Sequence, residues 1–229
     1  MKATLKNILY KILTVFISRE SLLQLISNKE EKVLLNFKNQ GYLHDIGWLN
    51  SIDTNSIVDV NNAPLPWVTY PFIAFIEARI NKNLSIFEFG SGNSTLYYAQ
   101  RAATVTSVEN DAFWYKKTKS TMPANVNLYE CELIYGGAYS EFALNLPDNF
   151  DIIIVDGRDR VNCCKKSLNA LTPQGVIVLD DSDRKNYDEA GTFLKDNGFK
   201  TIDFWGLAPN INYLKCTTVF YRAYNCLGI

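Results

Sequence analysis

The stretch Ile86-Phe87-Glu88-Phe89-Gly90-Ser91-Gly92-Asn93-Ser94-Thr95 predicts a turn from a β-strand into an α-helix. Its first glycine permits a sharp turn, and its second lets a ligand approach the backbone. The following helix begins with free N–H groups, which Ser94 and Thr95 can cap. Nineteen residues after Gly90, the next predicted strand ends in Glu109, an acid suited to accept hydrogen bonds from two ribose hydroxyls. The stretch therefore predicts a ligand-binding loop.

Outward from this loop, apolar strands alternate with helical segments from residue 84 onward. Two strands are almost wholly apolar, Ile152-Ile153-Ile154-Val155 and Val176-Ile177-Val178-Leu179, as expected where helices cover both faces of a parallel sheet. This alternation is typical of a three-layer, doubly wound α/β domain. The predicted strands are Ser85–Phe89, Thr104–Glu109, Val126–Cys131, Asp151–Asp156, Val176–Asp180, Thr201–Trp205 and Thr217–Tyr221.

The last two predicted strands are joined only by Gly206–Cys216. Because this connection is too short for a helical crossover, the two strands should be antiparallel. The sheet is therefore predicted to have seven strands, mostly parallel, with an antiparallel last strand. Helices are predicted from about Pro71 and over Thr95–Arg101, Phe113–Ser120, Val161–Leu171 and Tyr187–Asn197.

Residues 1–64 are predicted to form a helical and irregular N-terminal extension to a domain at residues 65–229. A first amphipathic helix covers Ile8 to Ile17, and a second, capped by Ser18 or Ser21, runs on to Phe37. The segment 41–69 is irregular and rich in Asn, Asp and Ser. The first helix is basic, so we expect it to dock on the domain or a second subunit, or to lie on an anionic membrane. The oligomeric state is left open.

The composition excludes several function classes. The 229 residues carry 23 basic and 24 acidic side chains, a balance that argues against a nucleic-acid binder. The single histidine, His44, excludes His-rich zinc sites and leaves proton chemistry to carboxylates, tyrosines or lysines. Five cysteines without a C-x-x-C pair predict reduced thiols in a cytoplasmic protein.

The loop also indicates which cofactor it binds. A nicotinamide-binding loop would have a third glycine in place of Thr95, and Glu88 is a poor neighbour for a pyrophosphate. An acid at this position suits a cation, such as the amino and sulfonium groups of S-adenosylmethionine. The pattern Glu88-x-Gly90-x-Gly92 followed by Glu109, together with the antiparallel pair, resembles the class I S-adenosylmethionine-dependent methyltransferases over about residues 65–222.

The resemblance implies roles for the residues of the loop. Glu88 should lie near the methionine amino group, and Glu109 should hold the ribose. Backbone atoms of Gly90, Ser91 and Gly92 should face the methionine and ribose. Ser94 is grouped with these cofactor-binding residues, Asn110 should border the adenine, and Cys131 or Glu132 should face it.

Acidic residues follow two predicted strands, Asp156 after one and Asp180-Asp181 after the next. Because the carboxyl ends of parallel strands share one edge, we expect these three acids to converge near the transferred methyl group. Asp156 or Asp181 would then act as a general base on an acceptor hydroxyl, while Arg158 or Arg160 orients a polar or anionic acceptor.

The less favoured alternative is a magnesium ion held by the three carboxylates. The three acids resemble the metal site of the catechol O-methyltransferase branch, from whose pattern Gly157-Arg158 departs. Two further acids, Asp159 and Asp183, are expected to form surface ion pairs with Arg160 and Arg184.

Three segments resemble a methyltransferase subgroup often encoded near surface-glycan synthesis enzymes: Asp156–Val161, Pro64–Trp67 and Asn225–Ile229. This resemblance implies O-methylation of a hydroxyl on a sugar, a glycan or another small acceptor. The alternatives are an aminopropyltransferase, a NAD-linked enzyme and a non-catalytic cofactor-binding module. Trp67 or Tyr70 either covers the site or anchors the extension.

Overall fold

The computed structural model describes residues 18–229, apart from the side chains of Arg19 and Glu20, so the predicted helix at Ile8 to Ile17 lies outside the described residues. The strands are β1 (Ser85–Phe89), β2 (Thr104–Glu109), β3 (Val126–Glu130), β4 (Phe150–Val155), β5 (Leu171–Asp180), β6 (Lys200–Gly206) and β7 (Lys215–Tyr221).

All seven strands form one sheet in the order β3-β2-β1-β4-β5-β7-β6. The pairs among β1 to β5 are parallel, and β7 is antiparallel to both β5 and β6. The chain order reverses between β1 and β4, which is where a doubly wound sheet binds its ligand. The predicted fold class, with its antiparallel last strand, is confirmed.

Helices flank the sheet and precede it. They are α1 (Arg19–Ile26), α2 (Lys29–Asn36), α3 (Tyr42–Asp45), α4 (Trp48–Asp53), α5 (Tyr70–Glu77), α6 (Asn93–Arg101), α7 (Ala112–Lys119), α8 (Ala138–Glu141), α9 (Arg160–Ser167) and α10 (Asp188–Asp196). None of the helices described within residues 18–229 has both the length and the apolar character needed to span a membrane.

The predicted helix from Ser18 to Phe37 is divided into α1 and α2, because Asn28 forms a reciprocal capping box with Glu31 and starts a new helix. Ser18 caps α1 by accepting a hydrogen bond from the Ser21 amide. The segment expected to be irregular contains α3 and α4. The helix predicted to reach Leu171 ends at Ser167, and a short 3-10 turn leads directly into β5.

The core has two halves, one on each face of the sheet. Alternate residues of a strand face opposite sides, so Ile152 and Ile154 pack into one half while Ile153 and Val155 pack into the other. On β1, Ile86 packs into the first half and Phe87 and Phe89 into the second. Both faces of the central strands are therefore buried, as the apolar runs predicted.

The segment before α5 packs against the carboxyl edge of the parallel strands. The Trp48 indole donates a 2.7 Å hydrogen bond to the Ile211 carbonyl, and the Asn210 amide donates a 2.8 Å bond to the Ser51 hydroxyl. The Asn93 side chain, at the start of α6, donates a 2.7 Å bond to the Ile57 carbonyl. These contacts bring residues from the predicted extension to the edge where ligands bind.

Candidate functional site

A cavity of about 680 Å³ opens at the carboxyl edge of the parallel strands. It lies at the switch point between β1 and β4, where the loops after β1, β2, β4 and β5 meet. With the exception of Cys131 and Glu132, the residues that the sequence assigned to cofactor binding or catalysis line this cavity: Glu88, Gly90, Ser91, Gly92, Ser94, Glu109, Asn110, Asp156, Arg158, Asp180 and Asp181. Cys131 and Glu132 are not among its lining residues.

Further residues line the cavity, most of which the sequence did not assign to the site. They are Asn55, Ser56, Ile57, Leu65, Trp67, Asn93, Asp111, Trp114, Gly157, Arg184, Ile211, Tyr213 and Lys215, together with Phe89 and Arg160. Trp67 lines the cavity, as the prediction that an aromatic side chain covers the site requires. Tyr70 is buried in the core and is not among the lining residues. His44 lies outside the cavity and pairs with Asp45.

Glycines let the ends of β1 and β4 approach one another closely. Gly90 and Gly92 have φ values of 107° and 145°, which favour glycine. At Gly157 a Cβ atom would lie 2.9 Å from the Phe89 carbonyl oxygen and still closer to the Tyr139 hydroxyl. The floor of the cavity therefore has no room for a side chain at position 157.

Glu88 is a buried acid with hydroxyl partners, and its side chain is 1% exposed. Its Oε2 accepts a 2.6 Å hydrogen bond from the Thr95 hydroxyl, which itself accepts a 3.0 Å bond from the Gly92 amide. Burial raises the pKa of Glu88 from 4.5 to about 7, against the lowering effect of hydrogen bonds from Ser94 and Thr95. No basic side chain that the structure describes forms an ion pair with this carboxyl, so a ligand cation would be its natural counterion.

Glu109 is held in one orientation at the end of β2. Its Oε1 accepts hydrogen bonds from the amides of Asn110 and Asp111, at 2.8 and 2.9 Å. Its Oε2 accepts a 2.7 Å bond from the Ser91 hydroxyl. The Trp114 indole donates to the Ser91 carbonyl at 2.9 Å, so α7 and the glycine loop are tied together. The remaining lone pairs of this carboxylate can accept further hydrogen bonds from a ligand.

Asp180 is also 1% exposed, but it is bound to a buried ammonium group. The Lys215 Nζ lies 2.6 Å from its Oδ2, and the Thr217 hydroxyl donates a 2.8 Å hydrogen bond to its Oδ1. The same Nζ lies 2.9 Å from Asp181 Oδ1. Lys215 is itself only 3% exposed, so these three charges form a buried cluster.

Arg160, the first residue of α9, joins the remaining acid to this cluster. Its guanidinium lies 3.0 Å from Asp156 Oδ1 and 3.2 Å from Asp181 Oδ2. Burial raises the pKa of Asp156 well above its usual range; the negative charge of Asp180 adds to the shift, and the positive charges of Arg160 and Lys215 oppose it. Asp156 therefore holds a proton more readily than an ordinary aspartate does.

The predicted ion pairs of Asp159 with Arg160 and of Asp183 with Arg184 are wrong. Asp159 instead accepts hydrogen bonds from the Gly136 amide and the Asn162 side chain, both at 2.7 Å. Asp183 accepts a 2.8 Å bond from the Cys216 amide, and the Arg184 guanidinium lies 2.9 Å from Asp181. Both arginines therefore point toward the cavity acids rather than toward their sequence neighbours.

The three aspartates do not fit the magnesium alternative. Magnesium needs oxygen ligands in near-octahedral geometry, but both oxygens of Asp180 and of Asp181 already bind cations or a hydroxyl, and Oδ1 of Asp156 binds Arg160. Within residues 18–229 no group of three or more His, Cys, Asp or Glu side chains is arranged to hold a metal. The five cysteines, all free thiols, do not form such a group either.

Lys215 was missed by the sequence analysis because its position depends on the direction of β7. In a strand that runs antiparallel to its neighbours, the first residue rather than the last lies at the carboxyl edge of the parallel strands. The only feature of the sequence that could have indicated its role is the position of a lysine at the start of a buried strand.

Comparisons with solved structures identify the fold. A candidate caffeoyl-CoA O-methyltransferase from Staphylococcus aureus is 15% identical with a TM-score of 0.53, covering 86% of this chain and 100% of that one. A precorrin-6y C5,15-methyltransferase from Geobacter metallireducens is 16% identical with a TM-score of 0.52, covering 67% and 87%. Precorrin 8w decarboxylase from Methanobacterium thermoautotrophicum is 19% identical with a TM-score of 0.51, covering 74% and 97%.

The chain therefore has the fold of the class I S-adenosylmethionine-dependent methyltransferases. At these identities the likeness concerns the fold, which hosts more than one reaction. No protein-family model and no curated protein matched the sequence. The names of the three similar structures contain nothing about glycans, so the glycan-linked subgroup stays a prediction.

Proposed function

We propose that this protein is an S-adenosylmethionine-dependent methyltransferase that O-methylates a hydroxyl of a sugar, a glycan or another small acceptor. The observation that carries the proposal is Glu88, a buried acid that lines the cavity without a cationic partner among the described side chains. A site of this kind gains most from a ligand that brings its own positive charge. Two of the three similar structures are named as methyltransferases, which supports the same reaction class.

The residues around the glycine loop fit the proposed cofactor. Glu88 would receive the methionine amino group, and the oriented carboxylate of Glu109 would accept hydrogen bonds from the ribose hydroxyls. Gly90 and Gly92 leave the backbone open to the ligand, while Ser94 and Asn110 line the same part of the cavity. S-adenosylmethionine, when bound, supplies an activated methyl group, so the protein mainly aligns the acceptor and removes its proton.

Asp156 is the best candidate for the general base. A carboxylate with a raised pKa is a stronger base, and the pKa of Asp156 is raised well above its usual range by burial. Asp180 and Asp181 are each bound to Lys215, so their role is to hold the cluster rather than to accept the proton. Arg158 would orient the acceptor from the cavity wall.

The test is isothermal titration calorimetry with S-adenosylmethionine, S-adenosylhomocysteine and NAD. We expect the first two to bind and NAD not to bind, and a failure of S-adenosylmethionine to bind at millimolar concentration would refute the proposal. Glu109→Ala should abolish binding. Glu130→Ala is a matched control, since Glu130 pairs with Glu109 in the sheet register but is exposed and outside the cavity.

The titration separates the NAD-linked alternative, and other observations separate the remaining two. An aminopropyltransferase would need acids free to bind a polyamine, but Asp156, Asp180 and Asp181 already pair with Arg160 and Lys215. A non-catalytic module would bind S-adenosylmethionine without transferring its methyl group to any acceptor. We also propose a cytoplasmic location, peripheral to a membrane if the basic segment before residue 18 binds lipid; sedimentation with anionic vesicles tests this point.

A further inference from the structure

The charged residues of the cavity are divided between its two ends. At the end formed by β1 and β2, the described lining residues include three acids and no basic side chain: Glu88, Glu109 and Asp111. At the end formed by β4, β5 and β7 there are three acids and four basic side chains: Asp156, Asp180 and Asp181, with Arg158, Arg160, Arg184 and Lys215. The first end suits a cation, and the second has one positive charge in excess.

Arg158 is the basic side chain at this end of the cavity that no described aspartate neutralises. Arg160, Arg184 and Lys215 each lie within 3.2 Å of an aspartate oxygen. Arg158 is exposed on the cavity wall and forms neither an ion pair nor a side-chain hydrogen bond with any residue of the described part of the chain. Its guanidinium therefore keeps its full set of donors for a ligand.

Two aromatic side chains line the cavity near Lys215. Trp67 is 49% exposed, and its carbonyl lies 3.5 Å from the Lys215 ammonium group. Tyr213, which precedes Lys215 by two residues, is 55% exposed. Large rings that line a cavity without being covered are suited to pack against a ring of the ligand. This end of the cavity thus combines apolar surface with an unpaired guanidinium.

We propose that the methyl acceptor carries an anionic group, a carboxylate or a phosphate, which Arg158 binds while a ring of the acceptor lies against Trp67 and Tyr213. The proposal rests on the proposed methyltransferase function and specifies its substrate class. Arginine matches carboxylate and phosphate through two parallel hydrogen bonds, which fixes the orientation of the acceptor as well as its position. The charge division also assigns the two ligands to opposite ends of the cavity, since the cofactor is the cationic one.

A competing partner for Arg158 is the cofactor itself, because the methionine portion of S-adenosylmethionine ends in a carboxylate. The two possibilities predict different effects of Arg158→Gln. If Arg158 binds the acceptor, the variant should lose affinity for anionic acceptors and keep its affinity for S-adenosylhomocysteine. If Arg158 binds the methionine carboxylate, affinity for S-adenosylhomocysteine should fall.

The experiment titrates the complex with S-adenosylhomocysteine using D-glucuronate, glucose 1-phosphate and D-glucose. We expect at least one anionic sugar to bind about tenfold or more tightly than glucose, as a charge-assisted hydrogen bond requires. Whichever of D-glucuronate and glucose 1-phosphate binds more tightly shows whether the anionic group of the acceptor is a carboxylate or a phosphate. In Arg158→Gln this preference should fall to about twofold or less, with S-adenosylhomocysteine affinity unchanged. Arg222→Gln is the control, because Arg222 lies over Phe199 and not in the cavity.

Two results would overturn the inference. One is the absence of any preference for the anionic sugars in the wild-type complex. The other is a loss of S-adenosylhomocysteine affinity of about tenfold in Arg158→Gln, which would place the arginine on the cofactor. If S-adenosylhomocysteine does not bind the wild-type protein at all, the proposed function itself fails. This binding is measured before any sugar is added, so the two failures are distinguishable.

Discussion

Glu88 and Asp180 are equally buried, each with 1% of its surface exposed, but their negative charges are compensated differently. Asp180 is bound by the ammonium group of Lys215 and the hydroxyl of Thr217. Glu88 accepts a hydrogen bond from the Thr95 hydroxyl and pairs with no described basic side chain, and burial raises its pKa to about 7. A buried charge needs a counterion, so the difference separates a permanent structural acid from one that is left for a ligand.

The largest effect should come from removing the counterion of Asp180. Lys215→Met leaves Asp180 and Asp181 without their shared ammonium group, so the free energy of unfolding should fall by about 3–5 kcal/mol. Denaturant unfolding measures this loss. In the control Lys165→Met, whose ammonium pairs with exposed Glu189, the loss should stay below about 1 kcal/mol. Equal losses in the two variants would show that the buried cluster has no special role.

Glu88→Gln should affect binding and stability in opposite directions. If Glu88 receives the amino group as proposed, removing its charge should weaken S-adenosylmethionine binding by about 10–100-fold. The folded-state pKa of Glu88 is raised from 4.5 to about 7, so its stabilising contribution exists below pH 4.5 and is lost as the pH rises toward 7.

At pH 8 the wild-type protein therefore bears the cost of a buried, ionised Glu88, and the glutamine variant does not. Without ligand, the variant should be more stable than the wild type by about 1–3 kcal/mol at that pH. Parallel denaturant titrations at pH 5 and pH 8 measure the difference in the free energy of unfolding between the variant and the wild type and show its sign. A variant that is less stable than the wild type at pH 8 would contradict the assignment of Glu88 as an uncompensated acid.

The affinity for S-adenosylmethionine should depend on pH through the same group. Only ionised Glu88 matches the protonated amino group, so below pH 7 the affinity should fall by about tenfold per pH unit, and it should level off between pH 7 and pH 8. Calorimetry across this range measures the profile, and Glu88→Gln should flatten it. A wild-type profile that is already flat would exclude ionisation of Glu88 as the controlling step.

The smallest effect should come from removing the Thr95 hydroxyl, which donates a hydrogen bond to Glu88. Thr95→Val keeps the shape of a fully buried side chain but removes the 2.6 Å hydrogen bond to Glu88. Since that bond lowers the pKa of Glu88, its loss should move the midpoint of the binding profile upward by about one pH unit. Affinity at pH 9 should change little. A downward shift of the midpoint would mean that another donor replaces the hydroxyl.

The fold could be predicted because its signals are local. The apolar runs of β4 and β5, the glycines after β1 and the short link between β6 and β7 each constrain the sheet independently. Helix bounds were less predictable. The break at Asn28 depends on a capping box, and the end of α9 at Ser167 depends on where β5 begins to pair.

The partners of the acids could not be predicted because they are set by tertiary structure. Asp159 adopts a φ value of 50°, a backbone conformation that the sequence does not reveal, and it binds the Gly136 amide and the Asn162 side chain rather than Arg160. Asn55 to Ile57 reach the cavity through contacts with residues more than 30 positions away. Only the register of the sheet places Lys215 beside Asp180.

The ion pair of Asp180 with Lys215 also sets an order of events during synthesis. The two residues are 35 positions apart, so at about 5–20 residues per second Asp180 is made about 2–7 seconds before its counterion. During that interval the central parallel strands can already pair, but the aspartates at their edge still need water. Completion of the cavity end formed by β4, β5 and β7 therefore waits for β7, whereas the glycine loop and Glu88 are already in the chain.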